Sequence, residues 1–500
     1  MCHSSSQVAV RRRQFPGDCL FSPASNASRV ACRTQSSIIR PRQTKQTIMK
    51  SRLSRCKDDR VIAETYQNHI ATLQISYEKA ITHVAASHQL DGLLIHSGSE
   101  HYYFDDDRGI AFQAFGHFLH WIDVNRPDQL LLIRPGERPI YFQVIPDDFW
   151  YEQAIASEPA WGECFKVVRV NSLSEVAKAL PVGQFAYLGE SSSLAGAMNI
   201  AEANCNPKPL CSYLDYYRAY KTEYELDQLR TANQLALNGH QAARNCFLAG
   251  GSEYDIHLAY LGTCGVLEDE TPYTNIVALD DKSAILHYQN KRRQLAQTSQ
   301  VLLIDAGYRV RGYGSDITRT WVRDGVHANF AELLVGMEAI KDSLVAQVRP
   351  GISYIDIHRQ ALSLITELLV SLEICHGEAP DLLEREITQL FMPHGVGHLL
   401  GIQVHDVGGH QQNHEGQTLA PPAHSPMLRN TRDLTADMVF TIEPGCYFIP
   451  LLLEPQRSGE NHHRFNWDLI DQLYPLGGIR VEDNVRVTQS GVENLTLGTS

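Results

Sequence analysis

Three histidines, His394, His398 and His405, stand four and seven residues apart in FMPHGVGHLLGIQVHD (391–406), a segment otherwise made largely of glycine and aliphatic residues. Imidazoles ligate metals, move protons and donate hydrogen bonds to substrates. Spacing alone does not say which of the three rings does which, so their partners must be sought along the chain. Asp305 ends the apolar run VLLID, and Asp316 follows eleven residues later, after the turn-rich GYRVRGYG, in a second strand-like stretch. Two adjacent antiparallel strands would bring these acids face to face, although strand interiors disfavour Asp. Glu443 closes MVFTIE just before Pro444-Gly445 breaks the strand. In IRVEDNVRV the period of two puts Ile479, Val481, Val485 and Val487 on one face. Arg480, Glu482, Asn484 and Arg486 share the other, where a surface ion pair between Arg480 and Glu482 is the ordinary expectation.

Singly, each acid also fits a turn cap, an edge strand or a solvated pair. Together they form an ordered set of Asp, Asp, His, Glu and Glu. Four carboxylates gathered without cations would repel, and several would protonate. Two divalent cations would balance their charge. An oxygen-rich shell with one imidazole favours hard ions such as Mn²⁺, with Co²⁺ or Zn²⁺ able to substitute.

The elements that must position these residues are legible in outline. Ile70, Leu73, Tyr77 and Ile81 recur at three- to four-residue spacing, a helical face. LDGLLIHSG (90–98) and FAYLGE (185–190) read as strands, and DQLLLIRPGERPIYFQVI (128–145) as a hairpin about Pro-Gly. Order is expected from near residue 60, with an α/β domain over 60–210. CSYLDYYRAYKTEYELDQLR (211–230) crosses to a second domain over 215–495. There Leu226, Leu229, Ala232 and Ala236 mark a helix that starts near Glu223 and stops before Gly250-Gly251. Strand-like VLLIDAG, TRTWV, MVFTIEPGCYFI and GGIRVEDNVRV follow, with a helix over 328–348 between them.

Bulk composition narrows the partners. Five hundred residues, 43% apolar and 20% charged, suit a soluble chain of two or three domains. No apolar run approaches the length of a membrane span. A net charge of −13 argues against nucleic acid. Residues 1–57 hold twelve Lys or Arg against the single acid Asp18, leaving −24 for the remainder. That extension reads as disorder, as an early start codon ahead of Met49, or as a transit-like segment. Eleven cysteines, none in a C-x-x-C pair, give neither a disulfide framework nor a thiolate zinc site, and fit a reducing, cytoplasmic setting.

HGVGHLLGIQVHD, TIEPGCYF and GGIRVEDNV together resemble the signatures of the M24 "pita-bread" metallopeptidases, in the prolidase (Xaa-Pro dipeptidase) branch. The intervals also match: 11, 82, 45 and 39 residues from Asp305 through Asp316, His398 and Glu443 to Glu482. YQNHIATLQ and YKTEYEL are similar to segments of the bacterial PepQ-type group, and the likeness spans about 65–490. It implies a creatinase-like N-terminal α/β domain, a C-terminal pita-bread domain, and two divalent metal ions held by Asp305, Asp316, His398, Glu443 and Glu482. It further implies His405 at the scissile carbonyl, Glu443 as the proton carrier, and His394 and His287 at the substrate. Arg429 would capture a dipeptide's C-terminal carboxylate, and Arg480 would brace Glu482 beside it. The expected substrate is a dipeptide ending in proline, with organophosphorus esters as a side activity, and the expected assembly a homodimer. An aminopeptidase on the same fold and a non-catalytic binding protein are the rival expectations. Arg429 and the long stretch between His398 and Glu443 favour the dipeptidase over the aminopeptidase, and the five surviving ligand letters favour catalysis over mere binding.

Overall fold

The computed structural model describes residues 45–155, 161–294 and 298–498. Most of the basic extension, residues 1–44, therefore lies outside the described residues. Its last part does not: the first helix runs Lys45–His88, well ahead of the expected start of order. KQTIMKSRLSRCK contains no Gly or Pro and is rich in good helix formers, so nothing local stops the helix from extending backwards. The expected face of that helix is buried, with Ile70, Leu73, Tyr77 and Ile81 each no more than 4% exposed.

The first sheet is mixed. Strands β1 (Gly92–His96), β2 (Leu130–Ile133), β3 (Ile140–Val144), β4 (Lys166–Val170) and β5 (Phe185–Leu188) lie in the order β4-β3-β2-β1-β5. β2 and β3 form the expected antiparallel hairpin, while β1–β5 and β3–β4 pair parallel. The parallel pairs need crossovers, here supplied by short helices. β4 is absent from the sequence reading, because Lys166 and Arg169 interrupt its apolar run.

Helix Lys208–Arg218 leads into helix Glu223–Leu248. The second begins with a capping box: Thr222 Oγ1 accepts from Glu225 N and Glu225 Oε2 accepts from Thr222 N. Leu226, Leu229, Ala232 and Ala236 are wholly buried along its inner face. Each leucine contributes about 2 kcal/mol by leaving water.

The rest of the chain builds small antiparallel sheets around the histidine segment. β6 (Ile276–Leu279), β7 (Val301–Asp305) and β10 (Thr318–Val322) form one, in the order β10-β7-β6. Between β7 and β10 sits a two-stranded hairpin, β8 (Arg309–Val310) and β9 (Tyr313–Gly314). Its turn residues Arg311 and Gly312 have φ of 47° and 88°, the positive pair that a two-residue hairpin loop requires. β11 (Val439–Ile442), β14 (Asp483–Val487) and β15 (Val492–Asn494) make another sheet, and β12 (Gly445–Tyr447) pairs with β13 (Gly478–Arg480). Helices Ala328–Gln347 and Tyr354–Ser371 cover this part, burying Phe330, Leu333, Met337, Ile357 and Ile365 in its main apolar core.

Candidate active site

All ten residues singled out from the sequence line one cavity of about 160 Å³: His287, Asp305, Asp316, His394, His398, His405, Arg429, Glu443, Arg480 and Glu482. Each arrives at the end of a strand or in a turn, where a side chain escapes the alternation of a regular sheet.

Asp305 is the last residue of β7 and lies opposite Thr318 of β10 and Ile276 of β6. Asp316 is not on a strand, as expected, but two residues before β10 begins. The Asn484 side chain holds its backbone instead, accepting from Asp316 N at 3.0 Å and donating to Asp316 O. The two acids share one cavity because β7 and β10 pair antiparallel, as expected, and Asp316 lies just ahead of Thr318, the residue opposite Asp305.

His398 reaches the same place along β11. Thr441 N donates to His398 O at 3.0 Å, and Glu443 N donates to Val396 O at 2.8 Å. This close approach explains one glycine of HGVGH. Gly397 has φ of +150°, and a Cβ there would fall 2.2 Å from Thr441 O. The His398 ring donates from Nδ1 to Leu399 O at 3.0 Å, which turns Nε2 towards Asp316 Oδ2 at 3.2 Å and Glu443 Oε1 at 3.6 Å. Donor atoms of Asp316, His398 and Glu482 all lie within 4.8 Å of one another, the arrangement a bound cation requires. Glu443 and Asp305 flank that group in the cavity wall.

The other two histidines part company. His394 is tied down, donating from Nδ1 to Gly395 O at 2.8 Å while Nε2 meets the Tyr447 hydroxyl at 3.0 Å. His405 is exposed to the cavity, its ring 4.4 Å from that of His398 and nearly perpendicular to it. Burial drives His394 down to about 3; the surrounding protein, with His398 and Arg429, holds His405 down to about 4. Both rings are neutral at neutral pH. His287 and Arg429 stand exposed at the mouth.

Arg480 and Glu482 are not a surface pair. They are 5% and 1% exposed, because the strand breaks between β13 and β14 and both residues turn inward. Nor does Arg480 brace Glu482 directly. Its Nη2 donates to Asp305 Oδ2 at 2.6 Å, Nη1 to Tyr447 OH at 3.0 Å and Nε to Thr318 Oγ1 at 3.0 Å. Thr318 in turn donates to Glu482 Oε2 at 2.7 Å. The remaining oxygen, Glu482 Oε1, is buried with no hydrogen-bond partner among the described residues.

Three participants escaped sequence reasoning. Tyr273 donates to Asp305 Oδ1 at 2.6 Å, while Thr318 and Tyr447 relay the Arg480 contacts. Nothing in the letters around Tyr273 marks it; Tyr447, inside TIEPGCYF, and Thr318, opposite Asp305, lay beside residues already singled out.

Burial and mutual repulsion act on the carboxylates as expected for a cation site without its charge partner. Burial and then Asp316 push Asp305 up to about 6, and burial pushes Glu443 up to about 7 against the pull of His398 and Arg480. Glu482 is driven well above the carboxylate range by burial and by the charges of Asp316, Glu443 and Asp305. Asp316 alone stays low, because its hydrogen bond and charge interaction with His398 outweigh burial.

Residues 227–489 match the sequence profile of metallopeptidase family M24, and residues 64–216 that of the Xaa-Pro dipeptidase N-terminal domain. Among curated proteins, an Xaa-Pro dipeptidase of Colwellia psychrerythraea is 41% identical over 440 residues, covering 87% of this chain and 97% of the relative. One from Escherichia coli O157:H7 is 40% identical over 439 residues, covering 87% and 98%. Among solved structures, aminopeptidase P from E. coli with the inhibitor Pro-Leu superposes with a TM-score of 0.66 at 21% identity, covering 85% of this chain and 94% of that one. Proline aminopeptidase P II from Yersinia pestis gives 0.64 at 22%, covering 87% and 96%. The structural likeness carries the fold: a mixed N-terminal domain followed by a pita-bread domain.

Proposed function

Given that this chain belongs to metallopeptidase family M24, in its Xaa-Pro dipeptidase branch, we propose that it hydrolyses dipeptides ending in proline to a free amino acid and proline. The observation that carries this reading is the single cavity in which four carboxylates and His398 face the exposed His405 and Arg429.

The donor set fits divalent cations: four acidic side chains, one imidazole turned by Leu399 O, and the buried, unpartnered Glu482 Oε1. Asp305, Asp316, His398, Glu443 and Glu482 would hold two ions, Mn²⁺ by the hardness of the oxygens. When bound, such cations supply activation of water and polarisation of the scissile carbonyl.

The chain's own groups do the rest. Arg429 offers a planar fork to the substrate's carboxylate at the mouth, which fixes the distance from C-terminus to scissile bond and so favours dipeptides. His287 lines the same mouth. The neutral His405 ring donates a hydrogen bond to the carbonyl oxygen, a bond that strengthens as negative charge develops there. Glu443 takes the proton of the attacking water and delivers it to the proline nitrogen as the C–N bond breaks. His394 holds Tyr447 in place and lines the pocket beside the substrate. Leu286, Pro393 and Met427 supply apolar wall suited to a proline ring, which has no N–H to satisfy.

We further propose a slower action on organophosphorus esters, whose tetrahedral phosphorus resembles the peptide transition state. We read the chain as an N-terminal domain over 60–210 and a catalytic domain over 215–495, working as a homodimer in the cytoplasm. The seven cysteines whose side chains are described are all unpaired, which supports a reducing setting. Turnover of Gly-Pro-type dipeptides against the matching tripeptides, with Mn²⁺ present, tests the reading. Dipeptides should be cleaved faster; faster tripeptide cleavage would assign the chain to the aminopeptidase rival.

A further inference from the structure

Asp406 follows His405 and belongs to a buried ion cluster outside the ligand set. Its side chain and those of Arg218 and Lys221 are each 1% exposed. Arg218 donates to Asp406 Oδ1 from Nε at 3.0 Å and Nη2 at 2.5 Å, and Lys221 Nζ donates to Oδ2 at 3.1 Å. Arg218 also holds Gln403, and Lys221 donates to Arg218 O at 2.5 Å. The two cations come from the stretch joining helices Lys208–Arg218 and Glu223–Leu248, far from the histidine segment in sequence.

Three desolvated charges are a costly way to hold a fold, since a well-packed apolar trio commonly does as well. What an ion cluster supplies instead is fixed geometry, and here the geometry bears on the cavity. Asp406 N donates to Leu399 O at 2.9 Å, the carbonyl that also receives His398 Nδ1. One oxygen thus closes the loop 399–406 and orients the ligand imidazole. The packing is tight: a Cβ on Gly401 would lie 2.5 Å from Asp406 Oδ2. The His405 ring, by contrast, makes no side-chain hydrogen bond among the described residues and only leans on His398. Its place is therefore set by the backbone on either side, and Asp406 is that side.

Resting on the reading of His405 as substrate-facing, we propose that the Arg218–Asp406–Lys221 cluster is a positioning device that sets the His405 ring over the reacting carbonyl. Asp406 acts through its neighbour and touches no substrate. The two cations keep its carboxylate ionised below the usual range in spite of burial, so the clamp is charged at every working pH.

The test is Asp406→Asn in the full chain, with Lys221→Met as a milder second variant that leaves Arg218 in place. Three readouts are compared on folded protein of equal metal content. A misplaced ring predicts a kcat for Gly-Pro reduced about 10- to 100-fold with KM changed less than about threefold. In a His405→Ala background the same substitution should cost less than about twofold, because the ring it positions is gone. Independently of turnover, the His405 ring signals in ¹³C-histidine spectra, identified by their loss in His405→Ala, should shift in both clamp variants. Equal loss in both backgrounds, or unmoved His405 signals, would overturn the proposal. So would a lowered melting temperature with unchanged kcat. A wild-type chain inert towards dipeptides would sink the proposed function alone, since the spectra would still report the clamp.

Discussion

Arg480 Nη2 lies 2.6 Å from Asp305 Oδ2, joining residues 175 apart in the chain across the floor of the cavity. The same guanidinium reaches Thr318 and Tyr447, so its planar fork serves three acceptors from one position. Lys in its place could pair with Asp305 but could not span the others. Arg480→Lys is therefore expected to lower kcat about 100-fold and to weaken retention of metal, as Asp305 loses its fixed rotamer. Elemental analysis after dialysis, together with dipeptide turnover, checks this. Full metal content with near-wild-type kcat would show that the fork is dispensable.

Donor atoms of Asp316 and Glu482 lie within 4.8 Å of each other and of His398. Asp316→Asn and Glu482→Gln keep shape and remove charge. Either change is expected to reduce turnover about 100- to 1,000-fold, on the scale seen when a group central to charge stabilisation is lost. Added Mn²⁺ should not restore it. Recovery at millimolar Mn²⁺ would mean that the substituted acid only tunes affinity and is not an essential ligand.

How far the letters alone reached follows from what each residue does. Asp305, Asp316, His398, Glu443 and Glu482 were legible only as an ordered set, since each letter alone also fits a turn cap, an edge strand or a solvated pair, and their assignment as ligands came from the family resemblance. The choice of His398 over His394 and His405 was not legible from spacing. It depends on which backbone carbonyl each ring meets, and only the fold supplies Leu399 O and Gly395 O. The alternation in IRVEDNVRV misled for a similar reason. It holds for an unbroken strand with a wet face, whereas here the strand breaks at Val481-Glu482 and both faces are covered. Tyr273 was invisible, since a tyrosine in TPYTN fits any loop, and the Arg218–Asp406–Lys221 cluster required knowing which distant segments meet.

Arg429 lines the cavity with its residue exposed, close enough to His405 to act on its charge. If its fork grips the substrate's free carboxylate, Arg429→Ala should raise KM for Gly-Pro about 10- to 100-fold, the value of a charge-assisted bidentate pair at a partly wet site. The C-terminal amide of the same dipeptide lacks the charge and should bind the variant and the wild type almost equally. Steady-state kinetics on both substrates separates the cases. An equal rise for acid and amide would rule out carboxylate capture and point to a general widening of the mouth.

Metal uptake should release protons. Without cations, Glu482 is held well above the carboxylate range, Glu443 is pushed up to about 7 and Asp305 up to about 6. At pH 7 Glu443 is half protonated and Asp305 mostly ionised, while burial and the neighbouring carboxylates hold Glu482 towards its protonated form. Ligation needs all three deprotonated. Binding at that pH therefore expels protons, shared over a coupled set and not assignable group by group, and the His398 ring, held above its ordinary value by its Asp316 hydrogen bond in spite of burial, adds to the release. The sign follows: the metal-free site binds more protons than the loaded one, so affinity falls as pH drops through about 7 and then 6. Titration calorimetry with Mn²⁺ in buffers of different ionisation enthalpy measures the release directly. The number should rise towards pH 6 and decline towards pH 8. Uptake that liberates no protons, with an affinity flat over the same interval, would mean that these carboxyls are already ionised in the empty site, and that burial and repulsion do not govern them.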